Sequence, residues 1–420
     1  MQKSRVASHY TSCVRLAAYL TLSSSACQQG SRDAAVSAQH ASQAPAGPVA
    51  KAAPPAEAEH KPSEPTPAPA QAAQAKPPAQ AEPPPEPPHP SVQRTREMMG
   101  TVIQMTVLDV PEAQAAPVLD AAMAEMQRLE NLLSEWRPDS EVSQINQAAG
   151  LHPVKVGPEV MDNVRVGLEV ATWSDGAFDI SWAALRGLYL FQPGNQRIPT
   201  DQELRERLPL VNYKNIQIDE KAHTVFLKKK GMLLGLGGIA KGYALEKAAD
   251  ILERAGFKSF MFFGGGQVVV HGKKGNRAWR VGVQHPRMDD YFGFIESERG
   301  SIATSGDYEH AFIRDGLRWH HIIDLKTGRP VQHTAAVTVI CDSPFYADAI
   351  DTALFIMGPK KALEKLPSAP GPKAEVLLVD KDMRLHLSPG MKDRLILRVK
   401  LDADGTIPTP KVAPNSRTEQ

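Results

Sequence analysis

The chain has 420 residues, a formal net charge of +1 and only 6% aromatic residues. Apart from Lys228 to Lys230 it has no run of Lys or Arg, so it shows neither the electrostatic footprint nor the stacking platform of a nucleic-acid binder. Of its three cysteines, Cys13, Cys27 and Cys341, only the last lies in the body of the chain, which excludes an internal disulfide framework there.

The first 27 residues read as a signal segment. Lys3, Arg5 and Arg15 give a positive region, Leu16 to Leu22 a short apolar run, and Ser23-Ser-Ser-Ala-Cys27 a set of small residues before a cysteine. That pattern resembles a lipobox, with Cys27 diacylated as the mature N-terminus, although Ser24 stands where Leu is usual. The apolar run is far too short to cross a membrane. The expectation is a lipid anchor on the periplasmic side of a membrane in the bacterial cell envelope; the alternative is an unstructured N-terminus with a chance cysteine. From Gln28 to Val92 there is no Leu, Ile, Met or aromatic residue. Such a stretch cannot bury enough apolar surface to offset its ordering entropy. Residues 28–94 are therefore expected to form a Pro/Ala-rich disordered linker, able to reach well over ~100 Å if extended. The folded domain is expected over 95–400, with 401–420 as a flexible tail.

Within the domain, Met105 to Leu108 reads as a strand. Val118, Leu119, Ala122, Met123, Met126, Leu129, Leu132 and Leu133 recur at helical spacing, with Pro117 at a start or kink. Asp139-Ser-Glu141 signals a helix start. Val160, Val164, Leu168 and Ala171 mark another helix. Asn215 to Asp219 and Thr224 to Leu227 flank a turn as a hairpin. Gly235-Leu-Gly-Gly238 opens a helix through Arg254. Strands follow at 258–263, 268–271, 279–283, 292–296 and 337–341, then a helix over 345–357 and strands near 375–379 and 395–399. Without βαβ regularity, this order predicts an α+β fold with a mixed, largely antiparallel sheet and packed helices.

Four clusters carry candidate chemistry. In Gly235-Leu-Gly-Gly-Ile-Ala-Lys-Gly-Tyr243, glycines at a helix start allow a phosphate to approach backbone N–H groups, and Lys241 adds a cation. The spacing is not that of a Walker loop, and a tight turn is the plain alternative. In Asp348-Ala-Ile-Asp-Thr352, two carboxylates and a hydroxyl share a helix face, an oxygen set suited to Mg²⁺. The alternative is a pair of acids complementing the helix dipole. The apolar neighbours Phe345, Tyr346, Ile350, Leu354 and Phe355 suggest burial, where unpaired carboxylates are costly without a cation. Trp319-His-His-Ile-Ile-Asp324 reads as a strand entering a turn and has no metal-ligand spacing. Ser301-Ile-Ala-Thr-Ser-Gly-Asp-Tyr308 lacks the elbow of a hydrolase nucleophile.

Together and in order, these segments resemble the ApbE family, the FAD:protein FMN transferases. The matching pieces run from Met99-Gly-Thr101 through Leu133-Ser-Glu-Trp136, Ser140-Glu141, Asn146, Gly176-Ala-Phe-Asp-Ile180, Leu236-Gly-Gly-Ile-Ala-Lys-Gly-Tyr243 and Phe263-Gly-Gly265. They continue through Ala303-Thr-Ser-Gly-Asp-Tyr308 and His321-Ile-Ile-Asp324 to the stretch from Ala347-Asp348 to Gly358. The resemblance implies a central mixed sheet with FAD, the substrate, in a cleft. It implies FAD contacts from Met99, Trp136, Ala177, Phe178, Asp179, Lys241 and Ile323. It also implies Mg²⁺ ligands at Asp348, Asp351 and Thr352, with a backbone oxygen near Gly238. Gly235 departs from the family's usual Asp, Glu246 from a frequent Asp, and Leu325 from a usual Pro.

The implied reaction is attack by a partner protein's Ser or Thr hydroxyl on the FMN-side phosphorus of FAD. AMP leaves and His321 accepts the proton. Family acceptors carry a Ser/Thr-Gly-Ala-Thr motif. This chain has none, which points to a separate acceptor such as a membrane redox subunit. Two rival readings are an FAD pyrophosphatase, with water as nucleophile, and a non-catalytic flavin-binding lipoprotein.

Overall fold

The computed structural model describes residues 89–409. Eight strands form one sheet: β1 (Ser91–Met98), β2 (Thr101–Leu108), β3 (Phe260–Gly264), β4 (Gln267–His271), β5 (Arg299–Gly306), β6 (Thr334–Cys341), β7 (Ala374–Asp380) and β8 (Leu385–Leu387). Their order in the sheet is their order in the chain, and every neighbouring pair is antiparallel. The helices sit in the connections. α1 (Glu112–Leu133), α2 (Glu141–Gln147), α3 (Pro158–Trp173) and α4 (Ala240–Arg254) lie between β2 and β3, and α5 (Pro344–Lys365) between β6 and β7.

Both faces of the sheet are covered. On one, Met105, Phe260, Phe262, Val337, Val339 and Leu378 pack with Leu119, Met123, Met126, Leu245, Ile350 and Leu354 of the helices. On the other, Val270, Ile302, Ile340 and Val379 meet Trp279, Val281, Phe292 and Ile295 of a smaller antiparallel sheet built on Arg277–Gln284 and Tyr291–Ser297. Central β6 is buried at every position. Its near-continuous apolar sequence therefore follows from two covered faces.

The α+β expectation holds, and the observed strand pairs are all antiparallel. Several local expectations change. β1 begins at Ser91, so the linker boundary expected at 94 falls inside a strand whose exposed edge is polar. At the other end Thr406 bridges Arg384 and Ile407 is fully buried, so the tail expected from 401 starts as packed structure. α1 starts at Glu112, five residues ahead of Pro117, which the helix incorporates. β5 was not anticipated, because its sequence is dominated by small and hydroxyl residues. The helix expected to end at Met357 does bend there: Gly358 has φ +76° before a second helical segment begins at Pro359. The leader, Cys27 and most of the expected linker lie outside the described residues.

Candidate active site

One end of the large sheet gathers the motif turns. Met99 and Gly100 join β1 to β2 with φ of +52° and +72°, the left-handed pair that a two-residue hairpin turn demands. The Met99 N–H donates to Glu130 Oε1 at 2.8 Å, tying that turn to α1. Gly265 and Gly266 join β3 to β4. A Cβ on Gly265 would come within 3.2 Å of the Thr101 side chain, and one on Gly266 within 2.8 Å of the Thr304 carbonyl. Glycine is therefore needed for three adjacent strand ends to nest.

The N-terminus of α4 and the first turns of α5 meet at this end. Gly242 permits the approach: a Cβ there would lie 2.3 Å from the Pro344 carbonyl oxygen. The Gly242 N–H donates to Asp348 Oδ2 at 2.9 Å, and Lys241 Nζ donates to Asp348 Oδ1 at 2.6 Å. Asp348 thus satisfies an unpaired N–H at the start of another helix and complements that helix's dipole. Lys241 Nζ also donates to Gln267 Oε1 at 2.7 Å. Gln267 is fully buried and its amide donates to Ser301 Oγ and the Pro344 carbonyl, which fixes its orientation.

One turn along α5, Asp351 accepts from Ser305 Oγ and Thr352 Oγ1, each at 3.1 Å. Burial first, and the nearby Asp348 carboxylate second, push the Asp351 carboxyl up to about 7, with Lys241 opposing. Two buried carboxylates beside one ammonium and several hydroxyls form a hard-oxygen environment that a divalent cation would neutralise. Among the described residues no three His, Cys, Asp or Glu side chains cluster as ligands. A cation here would therefore complete its shell with Thr352, a backbone carbonyl and its own water or substrate.

The glycine turn that precedes α4 is braced from below. Trp182 Nε1 donates to the Gly235 carbonyl at 3.1 Å, and a Cβ on Gly235 would meet Ala183 at 2.8 Å and the Trp182 ring at 3.0 Å. A side chain at 235 would not fit, because the indole fills the place. Buried Glu135 faces the Leu236 N–H, and burial raises its carboxyl above the usual range. The Phe178 ring lies 3.1 Å from where a Gly238 Cβ would be. Asp179 is spent on its own loop, accepting from Ser181 N and Oγ and from Tyr213 N at 2.6–2.7 Å. Its carboxylate is an internal brace, which leaves backbone groups and the Phe178 ring of that segment to face a ligand.

The two adjacent histidines diverge more sharply than a continuous strand would make them. The strand Leu317–His320 ends at His320, and a separate short strand, Ile323–Asp324, pairs with Arg329–Pro330. The expected single strand over 319–324 is therefore broken at His321. His320 is fully buried, with Nε2 2.7 Å from the Val331 carbonyl and Nδ1 accepting from Ile322 N. These bonds fix a neutral tautomer with the proton on Nε2. His321 is exposed, with Nδ1 3.1 Å from the Glu309 carbonyl and its ring edge-on to His310 at 5.4 Å. Surrounding chain atoms first, and His310 second, lower its pKa to about 4, which keeps the ring in its neutral, acceptor form near neutral pH while making it a weaker base.

The structure thus pairs Lys241 with Asp348 and Asp351 with Thr352 by hydrogen bonds, the two pairs being coupled through the charges of Asp348 and Lys241 on Asp351; Gly238 lies three residues before Lys241. Met99 stands at the same sheet end. Among the described hydrogen bonds none links Trp136, His321 or Ile323 to that cluster; Ile323 packs against Leu185, Leu188 and Leu204. Sequence reasoning missed Gln267, Ser305 and Trp182 as supports. The signal available for Ser305 was its place in the Ala303 to Tyr308 motif; Gln267, following three glycines, carried none.

Residues 99–377 match the model of the ApbE family. Relatives named FAD:protein FMN transferase include one from Klebsiella pneumoniae, 31% identical over 63% of this chain and 78% of its own length. Another, from Treponema pallidum, is 30% identical over 72% of this chain and 88% of its own length. Among solved structures, the ApbE protein of Thermotoga maritima superposes with a TM-score of 0.67 at 32% identity, over 73% of this chain and 99% of that one. The flavin transferase ApbE of Vibrio cholerae does so with a TM-score of 0.63 at 26% identity, over 73% and 100%. The fold and site define a flavin transferase scaffold, and the chain belongs to the ApbE family.

Proposed function

We propose that this protein is an FAD:protein FMN transferase, joining the FMN half of FAD to a Ser or Thr hydroxyl of an acceptor protein and releasing AMP. The observation that supports it most is the Lys241–Asp348–Asp351–Thr352 cluster at the N-terminus of α4 in a chain of this family. An ammonium and a set of hard oxygens stand where a pyrophosphate would meet the glycine turn. Asp348, Asp351 and Thr352, with the Gly238 carbonyl, would hold Mg²⁺, which supplies Lewis-acid polarisation of the phosphorus and offsets charge on the leaving AMP.

The remaining work falls to the chain. Lys241, oriented by Gln267, offers its ammonium to phosphate oxygens. The acceptor oxygen forms a bond to the FMN-side phosphorus while the bond from that phosphorus to the bridging oxygen breaks and leaves with AMP. His321, neutral and exposed, takes the hydroxyl proton. Met99, Trp136, Phe178 and Ile323 offer apolar surface to the ring systems. The acceptor is a separate protein bearing a Ser/Thr-Gly-Ala-Thr-like segment, such as a membrane redox subunit. Cys27 would tether the enzyme by lipid on the periplasmic side of a membrane.

Incubation with FAD, Mg²⁺ and an acceptor carrying that motif, followed by mass spectrometry, tests the reading. The acceptor should gain the mass of one FMN less water. Release of free FMN and AMP with the acceptor unchanged would establish a pyrophosphatase instead.

A further inference from the structure

Among the described residues Trp136 is the most exposed large aromatic side chain, with 69% of its surface open. One of its two faces is nevertheless occupied. The Arg186 guanidinium carbon lies 4.6 Å from the indole centroid, within cation–π range. Arg186 is itself pinned, since Nη1 donates to the Glu135 carbonyl at 2.9 Å and its backbone N–H closes the short turn Trp182–Leu185 on the Ala183 carbonyl. Among the described residues Arg186 forms no ion pair. The Trp136 N–H is held as well, by Ser134 Oγ at 3.2 Å.

An exposed indole ordinarily samples several rotamers, and ordering it on ligand binding costs roughly 0.5–1.5 kcal/mol. Here the guanidinium covers one face and leaves the other bare, at the segment that also supplies Glu135 to the glycine turn. We infer that Arg186 is a positioning residue: it holds the Trp136 indole in place so that the free face receives a planar heteroaromatic ring of the bound dinucleotide. The inference rests on the FAD-binding reading above and adds a residue to it. Either the isoalloxazine or the adenine would present the same chemistry, a flat heteroaromatic ring stacked against an indole whose far face carries a cation.

The test is equilibrium binding of FAD, FMN and AMP to the wild type, Arg186→Gln, Arg186→Lys, Trp136→Ala and the Arg186→Gln/Trp136→Ala double variant. Arg186→Gln retains a donor for the Glu135 carbonyl and removes the cation. It should weaken FAD binding roughly three- to thirty-fold, with the loss in KM for FAD rather than in kcat. Arg186→Lys, which keeps the charge beside Glu135, should lose less and guards against a folding defect in Arg186→Gln. In the Trp136→Ala background the arginine change should have no further effect. Loss confined to FMN identifies the flavin ring, and loss confined to AMP the adenine. Unchanged FAD affinity in Arg186→Gln overturns the inference, as does an equal loss with and without Trp136, or equal losses for FMN and AMP. Wild-type protein that binds FAD yet transfers nothing to an acceptor would defeat the proposed reaction and leave the Arg186 inference standing.

Discussion

Asp348 on α5 closes the N-terminus of α4: its Oδ2 accepts the Gly242 N–H at 2.9 Å, while a Cβ on Gly242 would sit 2.7 Å from Asp348 Cβ. The two residues form one joint between helices, and Lys241, which donates to Asp348 Oδ1, is its third member. Replacing Gly242 by Ala drives a methyl into the Pro344 carbonyl. It should cost about 1–3 kcal/mol of stability and abolish transfer by separating the helices. A denaturant midpoint equal to wild type would show that the joint can open without penalty.

Asp348→Asn keeps the shape and removes the charge. Transfer should fall by at least ~10²-fold, since both the cation and Lys241 lose their counter-charge, with the fold retained. Turnover measured at limiting Mg²⁺ decides the matter: a wild-type rate there rules Asp348 out as a ligand.

Asp351 gives a pH signature. Its carboxyl is pushed up to about 7, above the ordinary ~4 of the unfolded chain. Between those values the native state binds the extra proton, so the metal-free protein loses stability as pH rises through that window. Mg²⁺ needs the deprotonated form and should therefore raise the melting temperature more at pH 8 than at pH 5. An identical Mg²⁺ response at the two pH values would remove Asp351 from the metal site.

His321→Ala should slow transfer by ~10²–10⁴-fold at saturating FAD and Mg²⁺, with both still bound. His320→Ala should behave oppositely. It empties a fully buried site and strands the Val331 carbonyl and the Ile322 N–H, a loss of roughly 2–4 kcal/mol, while the folded fraction keeps its rate. A drop of less than tenfold in His321→Ala would hand the proton to another group.

Cys27→Ser should release the protein from membranes and leave catalysis in vitro intact, because the site is built wholly from residues beyond Met98. Fractionation of cells expressing each form checks this. A variant that stays membrane-bound would disprove a lipid tether at Cys27.

Patterns that depend on local chemistry were readable in the sequence. Ser140 caps α2 by accepting the Ser143 N–H, as the Asp139-Ser-Glu141 signal implied, and the hairpin at 216–227 lies where its turn residues placed it. The i, i+3, i+4 spacing of Asp348, Asp351 and Thr352 did bring them onto one face. What escaped were features set by distant partners. β5 carries hydroxyls because Ser301 and Ser305 serve Gln267 and Asp351. The Asp179 carboxylate accepts from the Tyr213 N–H, 34 residues on, a partner that no local pattern announces. The break at His321 arises because His320 turns inward to Val331, a pairing no short-range pattern encodes.

The consecutive strand order of the large sheet has a kinetic consequence. Neighbours β2 and β3 are separated by residues 109–259, which hold five of the seven α-helices among the described residues. Closing a connection of that length costs roughly 4 kcal/mol of chain entropy beyond a constant. The β1–β2 and β3–β4 hairpins can each form early from short loops, but they can zip together only after the long insert has collapsed into a compact unit. That closure is the longest in the sheet and is expected to be the slowest to form. The same closure brings the Met99 turn beside the Gly265 turn, so the juxtaposition of those two turns depends on the longest-range pairing in the sheet.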